Sequence, residues 1–219
     1  DQQTYLGIVD YKSSQHKFNF RDAYYGVSLQ MLTYLDALIK NFDLLLPKMQ
    51  PNPAGVVYLH LQDPKLDLKD VLQTPFEQAW LKKNKYEGLL LADPELLGLL
   101  DQKLTQDKSG VSLVYPFRRK KDGSYAATGK SDPQLITKAQ LNLLLWHNEL
   151  LIQQAAAKIF SGDLAIDPVL WPDKRSAMQY SPFKAIMQFD AMLAENNYRQ
   201  LSKMSAAEVL EKIQAERSK

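Results

Sequence analysis

The chain contains no cysteine among its 219 residues. Disulfides and thiolate metal sites are therefore both excluded. No apolar run approaches the ~20 residues needed to span a bilayer, so no membrane is expected among the partners. No signal peptide opens the chain, and a cytoplasmic setting follows as the default. No methionine opens it either. Asp1-Gln2-Gln3-Thr4 leads directly into an apolar segment, as expected of a piece of a longer protein. Neither sign of charge dominates: the formal net charge is +2. That balance neither demands nor excludes nucleic acid, and a local patch would have to supply the attraction. With 45% hydrophobic and 24% charged residues, the composition is that of a soluble globular protein. The length suits one large domain or two small ones.

Tyr5 to Lys12 has the pattern of a strand. Its apolar residues fall on both parities (Leu6, Ile8, Val9), which predicts burial on both faces. Tyr24 to Phe42 carries helical periodicity through Val27, Met31, Leu35 and Leu38. Ala54 to Leu61 has the pattern of a second buried strand. Helices are predicted over roughly 75–86 and 93–104. Ser112–Phe117 and Ser124–Ala127 can pair as a hairpin, with Asp122-Gly123 at the turn. Asp132-Pro133 supplies an N-cap and a first-turn proline for a long helix ending near Phe160, with Gly162 as its stop. Pro168, Pro172 and Pro182 make the next segment irregular. Ser205-Ala206-Ala207-Glu208 is a capping box for a final helix. The layout is α/β.

One constellation carries chemistry. The first strand ends in Asp10-Tyr11-Lys12, and eighteen residues after Lys12 comes Gln30, with Tyr34 one helical turn further. Strand side chains alternate, so Asp10 and Lys12 share a face. Gln30 and Tyr34 share a helix face. Hydrolysis of a phosphodiester uses a metal to polarise the phosphoryl oxygen and activate water. Magnesium prefers carboxylate, carbonyl and water oxygens. Asp10 can supply the carboxylate and Tyr11 its carbonyl. Lys12 can orient the nucleophilic water and offset charge in the transition state. Gln30 and Tyr34 can hold the DNA backbone or the lysine. Taken alone, Asp-x-Lys and Gln-x-x-x-Tyr are commonplace, and a solvated strand end is the more frequent meaning.

The wider text is more specific. Tyr5-Leu6-Gly7-Ile8-Val9-Asp10-Tyr11-Lys12-Ser13-Ser14 and Tyr24-Tyr25-Gly26-Val27-Ser28-Leu29-Gln30-Met31-Leu32-Thr33-Tyr34-Leu35-Asp36 belong together. So do Pro53-Ala54-Gly55-Val56-Val57-Tyr58-Leu59-His60, Gly88-Leu89-Leu90-Leu91-Ala92-Asp93, Gly162-Asp163-Leu164-Ala165-Ile166-Asp167-Pro168, Gln188-Phe189-Asp190 and Asn197-Tyr198-Arg199. In combination they resemble the nuclease domain of the B subunit of AddAB/RexAB helicase–nucleases, of the PD-(D/E)XK, RecB-like type. The resemblance covers essentially the whole chain.

It implies a partial PD-(D/E)XK core, a central sheet flanked by helices, with a helical and irregular C-terminal tail. Residues 1–172 would be the truncated nuclease domain and 173–219 the tail. It implies a nuclease dependent on magnesium (Mg2+) that degrades the 5′-ended strand at broken DNA ends. Its partner would be an A subunit carrying the helicase motor and a second nuclease, in a heterodimer. Asp10 is then the second metal acid, Lys12 the catalytic lysine, and Gln30 with Tyr34 the helix motif. The family's first metal acid lies in an earlier strand and is expected upstream of this chain. Weak or absent activity of the chain alone follows as an expectation.

Many members of this family also hold an iron–sulfur cluster on a Cys-x2-Cys-x5-Cys segment and one earlier cysteine. The matching positions here are Met178, Ser181 and Met187, which cannot replace thiolates. No iron–sulfur cluster is expected, and apolar packing by Met178, Phe183, Ile186, Met187 and Phe189 should close this corner instead.

Other residues carry weaker signals. Arg118-Arg119-Lys120-Lys121 can contact DNA phosphates, although a charge run at a hairpin tip is more often solvated. His60 and His147 fit hydrogen-bonded or partly buried roles better than metal ligation. Asp22 and Asp36 are the nearby spare acids. The rival to a nuclease is a catalytically silent fold serving as scaffold or DNA clamp. Retention of Asp10, Lys12, Gln30 and Tyr34 together argues against full decay, because neither acid nor lysine is stabilising when buried unpaired.

Overall fold

The computed structural model describes residues 3–128, 134–194 and 196–218. Along the chain run β1 (Tyr5–Lys12), α1 (Phe20–Tyr24), α2 (Gln30–Lys40), α3 (Phe42–Leu45), β2 (Asn52–His60), α4 (Leu68–Gln73), α5 (Phe76–Lys83) and β3 (Glu87–Leu91). There follow α6 (Pro94–Leu100), α7 (Gln102–Gln106), β4 (Gly110–Val111), β5 (Phe117–Arg119), β6 (Tyr125–Ala127) and β7 (Leu135–Ile136). The chain continues through α8 (Lys138–Phe160), β8 (Val169–Leu170), α9 (Lys184–Met187), β9 (Arg199–Gln200) and α10 (Ala206–Arg217).

A four-stranded sheet in the order β1-β2-β3-β7 forms the centre of this α/β fold. β1 runs parallel to β2, β2 antiparallel to β3, and β3 parallel to β7. Alternation along β2 sends Val56 and Tyr58 to one face and Val57 to the other. The first face packs on Met31, Leu32 and Leu35 of α2, Leu141 and Leu144 of α8, and Val209 and Ile213 of α10. The second meets Leu97 of α6, Leu104 of α7 and Phe117 of β5. Each such buried aliphatic side chain contributes on the order of 1.5–3 kcal/mol through area removed from water. Among the described residues, no helix is long and apolar enough to cross a membrane.

Several elements depart from the sequence expectations. β1 is an edge strand rather than one buried on both faces, and Val9 and Tyr11 are 47% and 62% exposed. The helix expected over Tyr24 to Phe42 is broken. α1 ends at Tyr24, Gly26 takes φ +74°, and the Asp22 carbonyl accepts from both Val27 and Ser28 N–H before α2 begins. The expected helix over 75–86 ends at Lys83, and the short apolar run Leu89-Leu90-Leu91 that follows belongs to strand β3. Asp132-Pro133 lies outside the described residues. α8 instead opens at Thr137, whose side chain accepts from Gln140 N–H while Gln140 Oε1 accepts from Thr137 N–H. Asp122-Gly123 does turn a hairpin, with Gly123 at φ +85°, but it joins β5 to β6, so Arg118 and Arg119 lie within a strand. The Ser205 capping box opens α10 as expected.

The corner expected to close by apolar packing does not close. Met178 and Phe189 are half-buried, but Phe183, Ile186 and Met187 are exposed. Phe189 packs on Tyr198 instead, with ring centroids 4.8 Å apart.

Candidate active site

β1 delivers Asp10 and Lys12 to the α2 side of the sheet, and both are half-buried. Lys12 Nζ lies 2.7 Å from Asp10 Oδ2. The same ammonium donates to Gln30 Oε1 at 3.0 Å, and Gln30 Nε2 donates to the Tyr34 hydroxyl at 3.1 Å. The four predicted residues thus form one connected line. The Tyr58 ring, buried on β2 opposite Asp10, lies 5.9 Å beneath the ammonium. Burial first, and the Asp10 charge second, raise the Tyr58 phenol above its usual range, so this ring stays neutral beside the lysine.

α2 can carry this line because its apolar stripe leaves one edge free. Met31, Leu32 and Leu35 point into the core, while Gln30 and Tyr34 stand at the margin, with Tyr34 47% exposed. Sequence reasoning missed two supports. Leu29 at the start of α2 makes no side-chain cap. Asn148 of α8, 2% exposed, donates to the Thr33 hydroxyl at 3.1 Å, and that hydroxyl donates to the Leu29 carbonyl at 2.9 Å. A buried asparagine within an apolar helix stretch was the available signal.

The capacity for a hard cation can be judged from the oxygens present. Asp10 Oδ2 is buried and, although ion-paired with Lys12, accepts no hydrogen bond in acceptable geometry. The Lys12 carbonyl accepts from Leu61 N–H across the sheet. Successive strand carbonyls alternate, so the Tyr11 carbonyl turns to the open edge of β1. A carboxylate and a carbonyl therefore stand where a magnesium ion would find hard donors. Among the described residues, however, no three His, Cys, Asp or Glu side chains gather to hold a metal. The spare acids are engaged elsewhere. Asp22 accepts from Arg21 at 2.9 Å and Asp36 pairs with Lys40 at 2.8 Å.

The histidines take structural places. His60, 7% exposed, accepts the His16 backbone N–H on Nε2 at 2.8 Å. His147 is 5% exposed between α1 and α10. The basic run divides. Arg118, Lys120 and Lys121 are exposed. Arg119 instead donates from Nη1 to the Thr105 carbonyl at 3.0 Å, near the end of α7.

A mixed sheet carries the acid and the lysine, and the helix beside it carries the glutamine and the tyrosine, as the nuclease resemblance implies. The chain belongs to the PD-(D/E)XK nuclease superfamily, whose family pattern it matches over residues 1–169. It is 54% identical over 217 residues to the B subunit of the ATP-dependent helicase/deoxyribonuclease of Lactiplantibacillus plantarum, covering 98% of this chain and 18% of that protein. It is 47% identical over 224 residues to the protein of the same name from Latilactobacillus sakei, covering 98% and 18%. The corresponding figures for Enterococcus faecalis are 36% over 212 residues, with 97% and 17% covered. The chain thus spans less than a fifth of the length of these relatives. It is highly similar to the C-terminal region of AddB/RexB-type helicase–nuclease subunits, and its fold is a partial PD-(D/E)XK core with helical extensions.

Proposed function

We propose that this chain, taken alone, is a catalytically silent nuclease fold presenting part of an active site. The carrying observation is the count of ligands. Asp10 brings one carboxylate to the open edge of β1, and among the described residues no group of three or more His, Cys, Asp or Glu side chains forms to hold a metal. In this reading the fold acts as a structural scaffold or DNA clamp in the helicase–nuclease complex, and the clamp would use the basic hairpin. Arg118, Lys120 and Lys121 contact phosphates, while Arg119 braces the hairpin on α7.

A second reading applies where a further carboxylate joins Asp10, as within a longer subunit of the helicase/deoxyribonuclease kind. It is supported by the state of Lys12, which is held by Asp10 and Gln30 rather than buried alone. Asp10 and the Tyr11 carbonyl would then hold magnesium. The ion supplies a polarised phosphoryl oxygen and a water of lowered pKa. Lys12 orients that water and offsets developing negative charge, and Gln30 and Tyr34 keep the lysine in place. The substrate is the 5′-ended strand of a DNA break, and the partner is a helicase-bearing A subunit in the cytoplasm. Residues 173–219 form a tail that shares the core through Ala206, Val209 and Ile213.

The test has two arms. The 219-residue chain with magnesium should leave DNA intact, and robust cleavage abolished by Asp10→Ala would overturn the silent reading. The full-length subunit with its helicase partner is then given ATP, magnesium and linear duplex labelled at each 5′ end. Asp10→Ala should unwind the duplex yet spare the 5′-ended strand. Unchanged degradation would make the Asp-Tyr-Lys strand purely structural.

A further inference from the structure

Where β1 ends, the surface folds into a cleft of about 430 Å³. Lys12 pairs with His60 across β1 and β2, and the Lys12 carbonyl accepts from Leu61 N–H at 2.9 Å. His60 lines the cleft and is 7% exposed. Its Nε2 accepts the His16 backbone N–H at 2.8 Å, which fastens the loop after Lys12 to the sheet. Gln15 of that loop, Gln62 just beyond β2 and Asn84 at the end of α5 line the cleft as well. Tyr58 and His60 stand two residues apart on one face of β2, about 6.6 Å. The Lys12 ammonium lies 5.9 Å from the Tyr58 ring. A phosphate held at Lys12 would therefore bring its neighbouring nucleotide within reach of the cleft.

The charges of the lining argue against a second phosphate. Lys83 Nζ lies 2.9 Å from Asp70 and 3.2 Å from Asp67, and it donates to the Lys65 carbonyl at 3.1 Å. The other charged groups of the lining are Lys65 and Asp63, and Asp63 Oδ1 accepts from the Trp80 indole at 3.1 Å. With Asp67 and Asp70 counted, three carboxylates accompany two ammonium groups. Phosphate recognition needs the opposite balance.

The uncharged groups fit another part of a nucleotide. Gln15 and Gln62 are exposed and Asn84 is half-buried. Each amide offers both donors and an acceptor, and asparagine and glutamine are side chains that pair with base edges. Pro64 adds an apolar surface beside them. A nucleobase presents the matching pair of features, a hydrogen-bonding edge and a flat face. The volume lies within the range of small-ligand clefts, about 300–1,000 Å³.

We infer that this cleft is a nucleobase subsite, in which Gln15, Gln62 and Asn84 hold the base of the nucleotide next to the phosphate at Lys12. The inference rests on the active-site reading above, which brings a DNA strand to this end of the sheet. His60 shapes the cleft by holding the Gln15 loop in place.

Fluorescence anisotropy of the 219-residue chain without metal reads binding apart from cleavage. Wild type, Gln62→Ala and Asn84→Ala are titrated into a labelled single-stranded oligodeoxynucleotide and into the same strand made abasic throughout. Wild type should bind the strand with bases more tightly. Each variant should lose about two- to tenfold on that strand, the worth of one hydrogen bond, with binding of the abasic strand unchanged. Equal binding of both strands by wild type would overturn the subsite, and so would variants that keep the full wild-type preference. Displacement of the labelled strand by an equal concentration of free mononucleotide would also overturn it, because the cleft would then take a base without its strand. The duplex digestion of Asp10→Ala keeps the two readings separable. No base preference, with the 5′-ended strand still spared in that digestion, removes the subsite alone. A preference lost in both variants, with digestion insensitive to Asp10, supports the base-holding cleft, and the active-site reading is then the one that fails.

Discussion

Gln30 Oε1 accepts a hydrogen bond from Lys12 Nζ at 3.0 Å, joining the end of β1 to the first residue of α2. The contact fixes an ammonium that Asp10 alone would leave free to swing. Lys12→Ala in the full-length subunit with its partner should lower the rate of strand degradation by about 10²–10³-fold, the range for a removed transition-state electrostatic contact. Gln30→Ala, which removes a holder rather than the charge, should cost about tenfold, or ~1.4 kcal/mol. Single-turnover digestion of labelled duplex measures both. A Lys12→Ala enzyme with near-normal rate would remove the lysine from the chemistry.

Asn148 reaches across to Thr33 from the interior of α8. Asn148→Ala removes a buried hydrogen bond and opens a small void. A loss of about 1–3 kcal/mol is expected, seen as a lower urea midpoint with unchanged slope. Asn148→Asp should cost more, because it places a charge in the same site.

Gly55 on β2 has φ +129°, and a Cβ there would lie 2.1 Å from the Leu89 carbonyl oxygen of β3. Backbone cannot yield as a flexible side chain does. Gly55→Ala should cost more than about 3 kcal/mol, combining an unfavourable backbone conformation with a clash. Loss of soluble folded chain, followed by circular dichroism, is the expected outcome. Gly162, at φ +73° with open space around it, should tolerate alanine far better.

Tyr24 is held neutral. Burial, then the hydrogen bond to Glu216, pushes its phenol up from 10.0 to about 12. The folded state thus keeps a proton that the unfolded chain releases. The resulting stability is fully present below about pH 10 and is lost as the pH rises through about 12. Tyr5, raised to about 12 chiefly by burial, adds in the same window. Thermal melts at pH 9 and 11 should show a smaller alkaline loss in Tyr24→Phe than in wild type. An equal loss would place the alkaline sensitivity elsewhere.

What the sequence made legible was local. The strand ending in Asp-x-Lys, the Gln–Tyr pair on one helix face and the Ser205 capping box each need only a few adjacent residues, and each stands as expected. Turn geometry and long-range pairing decided the rest. Helical periodicity ran through Val27, yet Gly26 and the doubly accepting Asp22 carbonyl end α1. Leu89-Leu90-Leu91 is too short to show a period, and only its pairing with β2 makes it a strand. The apolar residues near Phe183 and Ile186 indicated a closed corner, but both side chains stand exposed. His147, Asn148 and Glu216 could not have been linked to Tyr24 and Thr33 without the fold, because these contacts cross more than a hundred positions.

The order of those pieces along the chain has a consequence for synthesis. Every group assigned to chemistry lies between Asp10 and Tyr34, whereas the groups that brace α2 from behind lie at Asn148, Arg199 and Glu216. A ribosome releases the reactive side chains first and their frame much later. A nascent chain therefore carries its acid and lysine long before they are rigidly aimed, and a chain broken off before α10 would retain every reactive group with its support removed. Of those braces, the one on α10 is the last to be synthesised.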